Sequence, residues 1–401
     1  MRFRSGRARS EPARGVGNLA LPRGLARRYV PRVHILVILP RWVGDAVMAT
    51  PLLRALRDHF ADAARITGVM RPVIADLLAG ADWLDTVVPY DRGRARVDPA
   101  VGFRAVARRL RTDRADAAIV LPNSLSSAAL AWAAGARRRI GYAGHWRRPL
   151  LTAVVAPPLP RPRTGDSRDD GRVTPPASFL HLASALDIPC AEADQAPTLT
   201  LATSAGDERS ADDVLARLFP GSAGPLVMLN DNGAHGPSKA WGVDRCAALA
   251  RWLLPRLPGC RVLIHCGPGD RETARAVERA ADHSAVRSLA DIDDLPLGLS
   301  KALYRRATLS VSTDSGPRHI AAAFGVPTVA LVGPIDPLYG RSDPRRCVEI
   351  RLDLPCSPCG RRVCPLGHND CMRRITPEQV GEAALALLAR TGDGGRRMQA
   401  G

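Results

Sequence analysis

Short runs of aliphatic and β-branched residues alternate along this chain with stretches in which apolar positions recur every three to four residues. The runs at 33–39, 65–70, 84–89 and 115–121 predict buried strands. Val47, Met48, Leu52, Leu53 and Leu56 share one helical face and predict a helix over 46–59, and similar spacing predicts helices over 72–79, 99–110 and 124–134. Prolines, glycines and charges interrupt the pattern at 157–176, which reads as a mobile surface loop. A helix over 177–186 follows. A second series begins past about residue 200, with strands at 226–229, 261–265, 308–312 and 328–331 and helices at 242–254, 270–281 and 297–305. Strands and helices in strict alternation predict parallel sheets with helices on both faces, and ligands in such sheets bind beyond the carboxyl ends of the strands. The expected fold is therefore α/β, with two doubly wound, Rossmann-like domains at 32–200 and 201–401 facing across a cleft. Residues 1–31 show no hydrophobic period and read as a disordered basic arm.

The most informative unit joins the apolar runs 307–312 and 326–332. A helix between two parallel strands must start near Ser315 or Gly316, with Pro317 in its first turn. Its free backbone N–H groups then point at the strand end and attract an anion. Asp314, Ser315 and Gly316 lie at that end, and His319 lies about one turn in, so a phosphate site is expected. The competing reading makes Asp314 or Ser315 an N-cap and His319 a packed helix residue. Two further strand-end loops stand out. In Gly44-Asp45 the aspartate is either a cap or a functional carboxylate. In the loop 232–241 Ser238 and Lys239 either hold a diphosphate or form a surface turn.

Composition narrows the classes. The formal charge of +18 admits nucleic acid, an anionic membrane face or acidic substrates, but only 4% of residues are aromatic, which disfavours a stacking single-strand binder. No apolar run is long enough to span a bilayer and the arginine-rich start lacks a signal h-region, so a cytoplasmic protein is expected, with the basic arm touching an anionic membrane face. Nine cysteines fit reduced thiols better than a disulfide framework. Cys356, Cys359, Cys364 and Cys371, with His368 among them, match no standard two-pair finger. Reduced thiols are thus the preferred reading and a structural zinc the second. Cys190, Cys246, Cys260, Cys266 and Cys347 read as small core residues.

As a set, Trp42-Val43-Gly44-Asp45-Ala46-Val47-Met48, Gly236-Pro237-Ser238-Lys239-Ala240-Trp241, Thr313-Asp314-Ser315-Gly316-Pro317-Arg318-His319 and the cysteine segment up to Thr376-Pro377-Glu378 resemble glycosyltransferase family 9. These are the ADP-heptose:lipopolysaccharide heptosyltransferases, and the heptosyltransferase II branch is the most similar. The resemblance covers roughly 33–388. It implies a GT-B architecture, acceptor on the first half and nucleotide sugar on the second, an inverting transfer that requires no metal cofactor, and a closing helix from about 376 that packs back across both halves. It also implies roles: Asp45 as base, Gly44 on the acceptor side, and Ser238, Lys239, Asp314, Ser315, Gly316 and His319 at the donor, with ADP-heptose the first choice. The partners would be a nucleotide sugar and a glycan or glycolipid acceptor, with no specific nucleic acid. Thr174 departs from the histidine that members often show there. The alternatives are a nucleotide-sugar epimerase or hydrolase of the same fold, and a non-enzymatic binder of anionic polymers.

Overall fold

The computed structural model describes residues 32–158, 172–189, 197–231, 236–340 and 343–392. Six strands, β1 (Val33–Ile38), β2 (Ala64–Met70), β3 (Thr86–Pro89), β4 (Ala117–Val120), β5 (Arg138–Tyr142) and β6 (Ala153–Val155), form a parallel sheet in the order β3-β2-β1-β4-β5-β6. A second set, β7 (Leu226–Asn230), β8 (Arg261–Ile264), β9 (Val286–Ser288), β10 (Leu309–Thr313), β11 (Thr328–Leu331) and β12 (Cys347–Ile350), repeats the arrangement as β12-β11-β10-β7-β8-β9. Each order reverses once, between β1 and β4 and between β7 and β10. A crevice opens at each reversal, beyond the strands' carboxyl ends.

The first half carries helices α1 (Val43–Met48), α2 (Thr50–Phe60), α3 (Pro72–Leu78), α4 (Phe103–Thr112), α5 (Leu125–Ala133) and α6 (Pro175–His181). After it come α7 (Ala205–Leu218), α8 (Val243–Leu253), α9 (Arg271–Ala281), α10 (Leu297–Arg306), α11 (Gly316–Ala323), α12 (Asp370–Arg373) and α13 (Pro377–Thr391). In β1, Leu36 and Ile38 pack with Val106 and Leu110 of α4 and with Ala128 and Ala131 of α5. Ile35 and Val37 point the other way, into a larger core that includes Leu52 and Leu56 of α2 and runs on into the second half. Being covered on both faces, such a strand is apolar at every position, which is why 33–39 shows no alternation.

The halves are also tied together between α3 and α10. Gly298 N–H donates to Asp76 at 3.1 Å, and the fully buried Lys301 Nζ donates to the Ala79 carbonyl at 2.7 Å and pairs with Asp207 at 3.7 Å. Burial pulls the Lys301 ammonium below its ordinary pKa, and Asp207 and Asp76 act against that pull.

Several expectations change. The helix over 46–59 is two helices, because Pro51 has no N–H for the Val47 carbonyl; the Thr50 hydroxyl donates to that carbonyl instead, at 2.8 Å. The helix over 99–110 starts as a 3-10 turn, Pro99–Val101, capped by Asp98, and breaks at Gly102 before α4. The helix over 177–186 starts earlier, at Pro175, with Thr174 in the N-cap position, and ends as the 3-10 turn Leu182–Leu186. The closing helix α13 carries a capping box of Thr376 and Gln379 and packs on α8, β10, β11 and β12 of the second half. The basic arm, most of the loop 157–176, the start of the loop 232–241 and Cys190 lie outside the described residues. No helix among the described residues is long and apolar enough to cross a membrane.

Candidate active site

The two reversals face each other. Four residues separate β1 from α1, α11 starts just beyond β10, and their first turns are in contact. Glycine makes that approach feasible: a Cβ at Gly44 would lie 2.9 Å from His319 Cδ2, and one at Gly316 would lie 3.0 Å from Val43 Cγ1. The crevices merge into one cavity of about 730 Å³, walled by Trp42, Gly44, Asp45 and Arg71 of the first half and by Asn230, Lys239, His265, Asp270, Asp314 to Pro317 and His319 of the second.

Neither helix start is closed by a side chain. Trp42 and Ser315 occupy the N-cap positions of α1 and α11, and neither makes a capping hydrogen bond. The amides in the first turn of α11 therefore face the cavity with the positive end of the helix dipole behind them. Asp45 is no cap either, since it lies within α1. Its carboxylate has no hydrogen-bond partner among the described residues. Burial raises its pKa above the ordinary value, while the Lys239 charge opposes the rise.

Lys239, at the end of the 3-10 turn Pro237–Lys239, is buried with its Nζ on Asp314 Oδ2 at 3.2 Å and on the Asp314 carbonyl. Arg318 holds the other carboxylate oxygen at 2.9 Å and Glu349 at 2.8 Å. Burial alone would push Asp314 up, but Arg318 and Lys239 outweigh it and keep the carboxyl below its usual range. With both oxygens engaged, Asp314 fixes the lysine at the cavity wall. His319 also lines the cavity. Burial, reinforced by the Arg318 and Lys239 charges and opposed by Asp314, lowers its pKa to about 3, and its Nδ1 is buried without a hydrogen-bond partner. At neutral pH the imidazole is therefore uncharged and able to hydrogen-bond a ligand.

A polar chain lies behind the helix start. Asn230, the last residue of β7, donates to Ser315 Oγ at 3.0 Å and to Ser312 Oγ at 3.3 Å; its carbonyl oxygen meets His265 Nδ1 at 3.4 Å, and His265 Nε2 meets Ser300 Oγ at 3.1 Å. Burial lowers His265 to a pKa of about 4, so the ring is neutral, donating from Nδ1 and accepting at Nε2. Below β7, Asp231 accepts from the backbone N–H groups of Trp241 and Gly242, and burial raises it to about 6. Asn230, Asp231 and His265 were not singled out from sequence, where only their place at strand ends marks them, and Ser300, inside α10, carries no such mark.

Ser238 lies outside the cavity lining. It is buried and donates to the Arg361 carbonyl at 2.6 Å, while its N–H donates to the Arg362 carbonyl at 3.1 Å, so it pins the cysteine-bearing segment beside Lys239. In that segment Ser357 Oγ donates to the Gly333 carbonyl at 2.8 Å, and a Cβ at Gly333 would lie 3.1 Å from Cys371 Sγ. Burial raises Cys371 to about 11, helped by the neighbouring Cys359, Cys356 and Cys364. Among the described residues no three His, Cys, Asp or Glu side chains are grouped so as to hold a metal ion. Cys246, Cys260, Cys266 and Cys371 are buried free thiols, and Cys347 is half-buried.

Among known proteins, a family model for glycosyltransferase family 9 (heptosyltransferase) matches residues 103–369. Lipopolysaccharide heptosyltransferase 2 of Escherichia coli is 28% identical over 366 residues, spanning 89% of this chain and 99% of its own. The solved structure of E. coli ADP-heptose lipopolysaccharide heptosyltransferase II superposes with a TM-score of 0.69 at 26% identity, over 90% of this chain and all of that one. A further E. coli heptosyltransferase, solved with ADP-2-deoxy-2-fluoro heptose, superposes with a TM-score of 0.63 over 87% of this chain and 98% of its own; at 18% identity that likeness speaks for the fold alone.

Proposed function

The chain belongs to glycosyltransferase family 9, the heptosyltransferases, and on that premise we propose that it moves heptose from ADP-heptose to a hydroxyl of a lipopolysaccharide-core acceptor, inverting the anomeric carbon and needing no metal. The architecture is GT-B, and in this reading the donor sits on the second half and the acceptor on the first. The observation that carries the reading is one cavity holding both an unpartnered carboxylate, Asp45, and an uncapped helix start flanked by Lys239.

The chemistry uses both. As the acceptor oxygen forms its bond to the anomeric carbon, Asp45 takes the hydroxyl proton, and the bond from that carbon to the diphosphate oxygen breaks. A positioned base contributes about 100- to 10,000-fold. ADP leaves with the electron pair, and the α11 amides, Lys239 and the Ser315 hydroxyl meet its growing charge. His319 supplies a neutral hydrogen bond. A binder of anionic polymers needs none of these features, and the family assignment removes that alternative.

The test incubates the protein with ADP-heptose and a truncated lipopolysaccharide core and follows ADP release and product configuration. Acceptor-dependent release with an inverted anomer is expected. Release that ignores the acceptor, or a retained configuration, would contradict the proposal.

A further inference from the structure

The sequence between residues 92 and 111 contains seven arginines and one acid, Asp98, whose carboxylate accepts from Ala100 N–H in its own turn. No comparable stretch of the second half is so one-sided: α7 interleaves Asp207, Glu208, Asp212 and Asp213 with its arginines, and α9 carries Glu272 and Glu278. Arg104, Arg108 and Arg111 sit at successive turns of the exposed face of α4, while Val106 and Leu110 face the sheet. None of the three has an ion-pair partner among the described residues. The nearest acids beyond the helix are engaged, Asp113 with Arg65 at 3.4 Å and Asp116 with Arg137 at 3.6 Å.

Large apolar side chains are exposed beside this charge. α5 packs next to α4 on the same sheet face and presents Leu125 and Trp132, 49% and 59% exposed, and Val97 in the loop leading to α4 is 89% exposed. Arginines surrounding a few exposed aliphatic and indole groups match an anionic bilayer surface: the cations meet headgroups and the apolar side chains enter the interface. Nucleic acid would leave the aliphatic groups without a role. The position also fits, because the loop 90–98 leaves the carboxyl end of β3, the sheet edge that carries Trp42 to Asp45 after β1.

We infer that the outer face of α4 and α5 docks this protein on an anionic lipid leaflet, with the mouth of the first half's crevice alongside the membrane. The inference stands apart from the donor reading, since no residue in it lines the cavity.

Sedimentation of the full chain with phosphatidylcholine vesicles, with and without phosphatidylglycerol, tests it. Wild type is expected to bind the anionic vesicles only. Each basic side chain near such a surface strengthens binding roughly fivefold, so Arg104→Glu/Arg108→Glu/Arg111→Glu is expected to lose about 100-fold while turnover on a soluble acceptor holds. Trp132→Ser keeps every charge and is expected to weaken vesicle binding with no change in melting temperature, which covers the case in which the triple variant fails to fold. The arm at 1–31 is present throughout, so unchanged vesicle binding in both variants overturns the inference. So does wild type that binds heparin or single-stranded DNA but not vesicles.

Discussion

Adding one methyl group at Gly44 sets two effects of known sign against each other. Gly44 is the second residue of α1, where alanine in place of glycine stabilises a helix by up to about 1 kcal/mol. The new Cβ, however, would sit 2.9 Å from Cδ2 and 3.4 Å from Nε2 of His319, a buried ring at the cavity wall. Overpacking of this kind costs about 1 to 3 kcal/mol, so Gly44→Ala is expected to be destabilised by roughly 0 to 2 kcal/mol net. The functional loss is expected to be larger. The clash is relieved by moving the first turns of α1 and α11 apart by a few tenths of an ångström, and Asp45 and the α11 amides move with them. Misplacement approaching 1 Å can cost about 100-fold, so a turnover loss of roughly 10-fold or more is expected at near-normal stability. Urea unfolding and steady-state kinetics on one preparation check both. A variant that is more stable than wild type and turns over within twofold of it would refute the claim that the two helix starts are tightly apposed.

Lys239→Ala removes a charge-assisted contact and is expected to weaken ADP binding by roughly 1.5 to 3 kcal/mol by calorimetry, whereas His319→Ala, losing a neutral contact, is expected to cost only about 1 kcal/mol; equal losses would mean that the imidazole is charged in the complex. His265→Phe fills the ring space and cuts the chain to Asn230, so ADP affinity is expected to fall roughly fivefold, and unchanged affinity would detach Ser315 from the donor. The buried histidines also shape acid stability. His265 and His319 have folded pKa values lowered to about 4 and about 3, so the unfolded chain binds protons that the folded one refuses, and stability present above about pH 6.5 is lost as pH falls. Asp231, raised to about 6, acts with the opposite sign, adding stability at low pH that is lost as pH rises through about 6. The urea midpoint of His265→Phe is therefore expected to fall less than that of wild type between pH 7 and pH 4.5, and parallel profiles would place His265 in solvent.

Much of this molecule was legible because its central strands are covered on both faces. β1, β4, β7 and β11 are nearly continuous apolar runs, β10 is fully buried with small hydroxyl residues between its apolar ones, and their order of appearance already implied a doubly wound sheet. β5, β6, β9 and β12 were not seen. β6 and β9 are three residues long, β5 carries Arg138 and Arg139, and β12 is a half-buried edge strand, so none shows a strand-length apolar run. α7 was missed although Ala211, Val214, Leu215 and Leu218 recur at helical spacing, because its first six residues carry no large apolar side chain and the period spans only its second half. Asp45, Lys239, Asp314 and His319 could be marked in the chain because each follows a strand closely. Their pairing could not, because the Asp314 bridge between Lys239 and Arg318, and the path from His265 through Asn230 to Ser315, exist only once β7, β8 and β10 lie side by side. Ser238 shows the converse, a residue in the right loop whose hydroxyl is committed to the Arg361 carbonyl.

The central claim, that Asp45 is the base for transfer, is tested most directly by Asp45→Asn, with turnover and ADP-heptose affinity measured side by side. The substitution keeps the size of the side chain and removes its ability to take a proton. Asp45 is not the N-cap residue but lies in the first turn of α1, so a melting temperature measured alongside separates lost activity from lost stability. Turnover is expected to fall about 100-fold or more with donor affinity unchanged. In wild type, activity is expected to drop as pH falls through a pKa that burial has moved above the ordinary aspartate value, because only the ionised form accepts the proton. Turnover of Asp45→Asn close to wild type, with the acid limb of the profile still in place, would contradict the account.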